Sequence, residues 1–298
     1  MNPAPPRTGK NAFTRFHTKL LIAMMLVVSL ITALGVVFAE RNAAANLEAT
    51  LRQEFVSDLA ALHHRREIRR AALVERCRAL VHYPRIHAAL EDNALDLLYP
   101  TAHDELRDLT APAPADAPAS TFLHARFYRF LDRTGAVIPP GDTTGVGELS
   151  AGEESRLSLP APPDRPQSGY LAQQTAPGDT RISEIIAMPI FSHENGELIA
   201  ALVLGFEPYQ NANTAGRHGL KNGLWFENHL HLPGLSEAAR TQIAAEVARA
   251  VAAQPFAGDE THLPISLEGV PHLLFYKTLN AASLFPRAYE ISLYSLTA

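Results

Sequence analysis

Apolar and polar positions fall into three successive patterns along the chain. Residues 20–39, LLIAMMLVVSLITALGVVFA, carry no charge and are followed at once by Glu40-Arg41. At ~1.5 Å per residue this run is ~30 Å long, the thickness of a bilayer core, and it predicts a transmembrane helix. Residues 43–82 hold neither Pro nor Gly, and Leu47, Leu51, Phe55, Leu59 and Leu62 recur at steps of four and three. Ile68, Leu73, Cys77 and Leu80 continue the stripe. That is the period of an amphipathic helix, and its length of ~60 Å reads as a stalk continuing from the membrane.

Pro84 closes the stalk. Two shorter helices are expected over 85–98 and 101–110, split by Tyr99-Pro100, before a Pro/Ala loop over 110–118. From 122 the period shortens to that of strands. Phe122–Leu131 is one, and the turn Asp132-Arg-Thr-Gly135 leads into Ala136-Val-Ile138. Residues 139–168 read as loop and 169–175 as a short strand. Residues 181–191 and 196–206 read as two strands around the turn His193–Gly196. A second unit follows: a strand over 223–232, a helix capped by Ser236 and running to Ala253, a hairpin over 264–277 turning at Glu268-Gly269, and a last strand from Tyr289 to Leu296. The class is α+β. The expected organisation is 1–19 N-terminal tail, 20–39 membrane helix, 40–82 stalk, 83–208 a membrane-distal unit and 209–298 a second, smaller unit.

Charge orients this plan. The first 19 residues hold Arg7, Lys10, Arg15 and Lys19 and no acid, so they are expected to stay in the cytoplasm with residues 40–298 periplasmic or extracellular. Val37-Phe38-Ala39 would also suit a signal peptidase. The apolar run exceeds the ~7–15 residues of a signal peptide, however, which favours an uncleaved, single-pass anchor in the inner membrane. Taking the four leader cations from 26 leaves 22 Lys and Arg against 31 Asp and Glu, so the exported part is acidic and no nucleic-acid partner is expected. The stretch His63-His-Arg-Arg-Glu-Ile-Arg-Arg70 is a basic exception. Pairing with nearby acids is its favoured reading, an anionic-ligand site the other.

No catalytic signature is present. The sequence has no Gly-x-Ser-x-Gly, no Gly-x-x-x-x-Gly-Lys-Ser/Thr and no Gly-x-Gly-x-x-Gly. The single cysteine, Cys77, excludes an intramolecular disulfide and thiolate-rich zinc sites, and its place on the apolar stripe reads as packing. His229 and His231 would share one face of a strand, and without a third ligand they read as surface histidines. His193-Glu194 sits in a turn, not on a zinc-protease helix. No enzyme, cofactor or metal is expected.

The order of parts, with Phe130-Leu-Asp-Arg-Thr-Gly-Ala-Val-Ile138 and Ile182–Gly205, resembles the double-Cache extracytoplasmic sensor of bacterial transmembrane receptors. The first segment looks like the strand–(Asp-x-x-Gly)–strand hairpin of such domains, the second like their central hairpin ending in a Leu-Gly-Phe strand. The resemblance implies two PAS-like sheets hung on a long helix, and a ligand pocket between the first sheet and the helices before it. It also implies a return span and an output module, and neither is read before Ala298. The amino-acid-gripping pattern of some double-Cache domains is not matched, so no ligand carries over.

Arg126, Tyr128, Arg129, Asp132, Tyr170, Glu184 and Tyr99 are the candidate ligand-binding residues. Arg can clamp a carboxylate and Tyr can flank it. Strand alternation places Arg126 with Tyr128 on one face and Phe127 with Arg129 on the other. The expected function is sensing of a small, anionic molecule, relayed by helix displacement in a homodimer joined through the stalk. An anchored scaffold for another envelope protein, or an anchored hydrolase, are the alternatives.

Overall fold

The apolar run and the amphipathic stripe form one helix, α1 (Lys10–Leu80), because nothing between them breaks helical geometry. The computed structural model describes residues 10–110, 124–176, 179–209, 220–253 and 261–296. Residues up to Asp58 form one unit and those from Leu59 onward another. In the former, Lys19–Asn42 has a mean hydropathy of 2.8 and none of it is buried, so this helix is long and apolar enough to cross a membrane.

The unit from Leu59 onward contains two sheets. The first joins β1 (Ala125–Leu131), β2 (Val137–Ile138), β3 (Gln167–Ala176), β4 (Asp179–Phe191) and β5 (Leu198–Phe206) in the order β2-β1-β5-β4-β3. The second joins β6 (Lys221–Phe226), β7 (His229–His231), β8 (Thr261–Leu267), β9 (Val270–Thr278) and β10 (Ala288–Ser295) in the order β7-β6-β10-β9-β8. Renumbered from its own first strand, each sheet is 2-1-5-4-3 and wholly antiparallel. Each also inserts one helix between its second and third strands: α4 (Ala151–Leu157) in the first, α5 (Glu237–Ala253) in the second. The chain thus builds the same PAS-like unit twice.

Burial explains the strand patterns. β5 lies between β1 and β4 and is covered on both faces, so LIAALVLGF is a continuous apolar run instead of an alternating one. Ala200, Leu202, Leu204 and Phe206 pack toward Leu73, Cys77 and Leu80 of α1, and toward α2 (Pro84–Glu91) and α3 (Leu95–Thr110). Ala201 and Val203 pack on the opposite face with Phe127, Leu157 of α4 and Phe285. Gly205 is required there, because a Cβ would stand 2.1 Å from the Phe127 ring. The second sheet is covered on one face by Ile243 and Val247 of α5. On its other face Phe275 meets His63 of α1.

Four local expectations need correction. Tyr99-Pro100 does not divide two helices. The break falls at Asn93, whose φ is +52°, and Pro100 lies inside α3, whose buried face Leu98, Tyr99, Ala102, Leu106 and Leu109 runs straight through it. A proline near a helix start forfeits one bond, here to the carbonyl of exposed Asp96, and burial outweighs that loss. Residues 139–168 are not all loop: α4 is nucleated by a capping box. The Glu153 N–H donates to Ser150 Oγ at 3.3 Å, and the Ser150 N–H donates to Glu153 Oε2 at 2.7 Å. Residues 223–232 are not one strand but the β6–β7 hairpin, turned by Glu227 and Asn228 at φ +49° and +63°. Ile68 leaves the apolar stripe and is 56% exposed, whereas Leu59, Leu62, Leu73, Cys77 and Leu80 are buried. The Pro/Ala loop over 111–118 and the side chains of Leu47 and Leu51 lie outside the described residues.

Candidate functional site

β4 is longer than its neighbour β5. Its pairing with β5 stops at Glu184↔Phe206, while toward β3 it continues to Asp179. Thr180, Arg181 and Ile182 therefore extend past the end of β5. The Ile182 carbonyl, left without a ladder partner on that side, accepts from Arg126 Nη1 at 3.3 Å. Opposite this edge stand Asn222–Leu224 of β6, the strand β7, and Arg240 and Thr241 in the first turns of α5. Between them lies a cleft of about 910 Å³, to which α1 contributes Arg66.

The cleft wall carries Arg66, Arg126, Arg181 and Arg240 against Glu184 and Glu207, with His229 and His231 at one side. Two of the arginines are tied. Arg126 Nη2 pairs with Glu207 Oε2 at 3.1 Å and keeps 27% of its side chain exposed. Burial pulls its pKa down, as does the nearby Arg181 charge, and Glu207 acts against both. Arg66 Nη1 stands 2.5 Å from Glu290 Oε2, a charge contact rather than an aligned hydrogen bond, and its Nη2 donates to Asn222 Oδ1 at 3.4 Å. Burial pushes His231 down, helped by His229, so it is uncharged at neutral pH.

Glu290 on β10 has a fully buried side chain. It faces Arg66 and His63 of α1 and accepts from Asn222 Nδ2 at 2.6 Å. Burial alone would raise its pKa, but Arg66, His63 and Asn222 outweigh that and hold the carboxyl below its usual range. One turn farther along α1, Arg69 Nη1 donates to Glu184 Oε2 of β4 at 2.9 Å, and Arg69 Nη2 donates to the Glu207 carbonyl. The basic stretch of the stalk thus pairs with acids of both sheets, beside the cleft.

The seven candidate residues separate. Arg126, Tyr170 and Glu184 line the cleft together. Tyr170 stands opposite Glu184 in the β3–β4 ladder and packs with Phe226 and Leu224 where the sheets meet; its hydroxyl is held protonated by burial. Arg129 lies on the other face and is fully buried. Its Nε donates to Glu154 Oε1 at 2.6 Å, Nη1 to the Tyr128 and Val146 carbonyls, and Nη2 to the Gly147 carbonyl. Tyr99 and Tyr128 belong to the core between the first sheet and the helices. The Tyr99 hydroxyl donates to the Ile138 carbonyl and accepts from the Phe130 N–H, while burial raises its pKa to about 12. Asp132 closes its turn by accepting from the Thr134 and Ala136 N–H groups. The space between the first sheet and α1–α3 is filled by this core, and the cleft takes its residues from both sheets. Arg66, Arg69, Glu207 and Glu290 are absent from the candidate set. The run 63–70 signals the first two, but nothing local marks the acids that meet them.

No protein-family model matches the sequence, and comparison with curated proteins finds none that matches. Solved structures similar to the chain include a domain of a sensory box/GGDEF family protein from Vibrio parahaemolyticus, at 15% identity over 84% of this chain and 97% of that one, with a TM-score of 0.48. The extracellular domain of the histidine kinase vpHK1S-Z8 matches at 15% identity over 82% and 94%, with a TM-score of 0.47. The ligand-binding domain of Mlp24 with asparagine matches at 12% identity over 85% and 95%, with a TM-score of 0.43.

Proposed function

We propose that the chain is the ligand-sensing region of a bacterial signal-transduction membrane receptor, anchored through residues 20–39 with its N-terminus in the cytoplasm and both sheets outside. A small molecule with an anionic group enters the cleft and meets Arg126. The observation that carries this reading is the convergence of three parts on one cleft: β4 of the first sheet, β6 of the second, and Arg66 of α1. The wall has more Arg than Glu, and a carboxylate placed there gains charge-assisted hydrogen bonds. A ligand that draws Arg66 from Glu290 loosens a tie that holds α1 to the second sheet, and one that draws Arg126 from Glu207 disturbs the residue whose carbonyl accepts from Arg69 of α1. The free energy of binding then favours one position of α1 over another, and that shift is the signal. In this reading the chain carries no catalysis and works as a homodimer through the outward face of α1, where Ile68 is exposed.

The test is a thermal-shift screen of the full chain in detergent against organic acids and amino acids. At least one anionic compound is expected to raise the Tm of the parent and to lose that effect in Arg126→Ala. A screen in which nothing stabilises the chain counts against sensing and favours the scaffold. A hit that protects Arg126→Ala equally places the ligand elsewhere.

A further inference from the structure

Away from the cleft, three histidines distant in sequence meet where α1 passes into α2. His82 follows the last turn of α1, His87 lies in α2, and His193 lies in the turn between β4 and β5. One ring nitrogen from each lies within 4.8 Å of the others. We propose that His82, His87 and His193 form a binding site for a late first-row divalent cation of the Zn²⁺ class.

His87 supplies the strongest argument. It is 3% exposed, and its Nε2 stands 2.6 Å from the Val81 carbonyl. A carbonyl only accepts, so Nε2 carries the proton and Nδ1 carries the lone pair. That Nδ1 is buried and has no hydrogen-bond partner. A buried lone pair without a donor is costly, and a cation satisfies it. The backbone carbonyl behind the other nitrogen is the usual support of a metal-bound imidazole, fixing both tautomer and ring orientation.

The partners are positioned as well. Glu91 Oε1 accepts from Ser192 Oγ at 2.7 Å and from the His193 N–H at 2.9 Å, which ties the β4–β5 turn to α2. The His193 ring lies stacked on His87 with centroids 3.9 Å apart. Tetrahedral coordination at ~2.0–2.1 Å would place the nitrogens roughly 3.3 Å apart. The nitrogens lie within 4.8 Å, and the two side chains that would rotate to close the gap, His82 and His193, are both exposed, with His193 turning out of its stack. Three neutral imidazoles suit Zn²⁺, Cu²⁺ or Ni²⁺ and disfavour Mg²⁺ and Ca²⁺, and they leave one position open. Among the described residues this is the one group of three or more His, Cys, Asp or Glu side chains so gathered. It is separate from the paired His229 and His231 of the cleft.

The test is titration of the full chain in detergent, carrying no polyhistidine tag, with Zn²⁺ against a chromogenic chelator. One Zn²⁺ per chain is expected. His82→Gln and His193→Gln should each weaken binding at least tenfold, and the double variant should lose it. His229→Gln with His231→Gln should leave it unchanged. Both cluster substitutions fall at exposed positions, so the metal-free Tm of each should match the parent, while Zn²⁺ should raise the Tm of the parent and of the His229/His231 variant but not that of the His82/His193 double variant. Co²⁺ should give the visible absorption of a tetrahedral site. Absence of stoichiometric binding in the parent, or its survival in the His82/His193 double variant, overturns the proposal.

Discussion

Arg126 and Arg129 lie three residues apart on β1, yet only Arg126 keeps part of its side chain in solvent. Removing Arg129 would strand Glu154 and several carbonyls, so Arg129→Ala is expected to lower stability by about 3–5 kcal/mol, read from denaturant unfolding. Arg126→Ala should change it by about 1 kcal/mol or less, because its pair with Glu207 is partly solvated. Equal losses would show that the two side chains are not divided between structure and cleft. Glu290 gives a pH test. The folded chain holds its carboxyl below the ordinary value of 4.5, so its stabilisation is complete above that pH and is lost as pH falls through the lower folded value. The parent should therefore lose stability below pH 4.5 more steeply than Glu290→Gln, by up to one proton in the slope. Parallel acid curves would contradict this. Residue types in the sequence marked Arg126, Tyr170 and Glu184, but alternation put Arg126 and Arg129 on opposite faces without saying which face meets a cleft, and it grouped Arg126 with Tyr128. What separates them is which face each helix covers, and that is set by long-range packing.

The elements were legible wherever period or turn chemistry was strong. α1 follows from the uncharged run and the stripe, and the turns at Asp132–Gly135, His193–Gly196 and Glu268-Gly269 stand where Gly and Asp place them. α4 escaped because it has only seven residues, too few for an apolar period to emerge. Its one sequence signal is Ser150-x-x-Glu153. Loss of that cap should be felt: Ser150→Ala is expected to cost about 1 kcal/mol, and Ser150→Asp to restore most of it. The β6–β7 hairpin escaped because Glu227 is an unusual residue at positive φ, and Gly is the residue that advertises such a turn. A homodimer joined through the stalk would, from sequence, use its apolar stripe as the seam. At Leu59 and Leu62 it is buried within the chain's own fold, and the adjacent His63 meets Phe275 and Glu290, more than two hundred residues later.

For the whole molecule, the repeated 2-1-5-4-3 sheet was anticipated only as an order of helices and strands, since strand order in a sheet is not written in any local pattern. Two predictions belong to this scale. An alkaline phosphatase fusion after residue 110 should be active in a bacterial host, given four leader cations and no leader acid; activity of a cytoplasmic reporter at that point would reverse the topology. In a Cys77→Ala background, Ile68→Cys should cross-link between copies in membranes and Leu59→Cys should not, since the first side chain is 56% exposed and the second 1%. Cross-linking at Leu59 alone would restore the stripe as the seam. The central claim is that an anionic molecule binds in the cleft against Arg126. Calorimetric titration of the strongest acid from the screen, beside its neutral amide, into the parent and Arg126→Ala tests it most directly. The account predicts one molecule bound per chain, with affinity roughly thirtyfold or more weaker both for the amide and for the variant, as loss of a charge-paired contact worth about 2 kcal/mol or more requires. Equal affinity across all four titrations would contradict it.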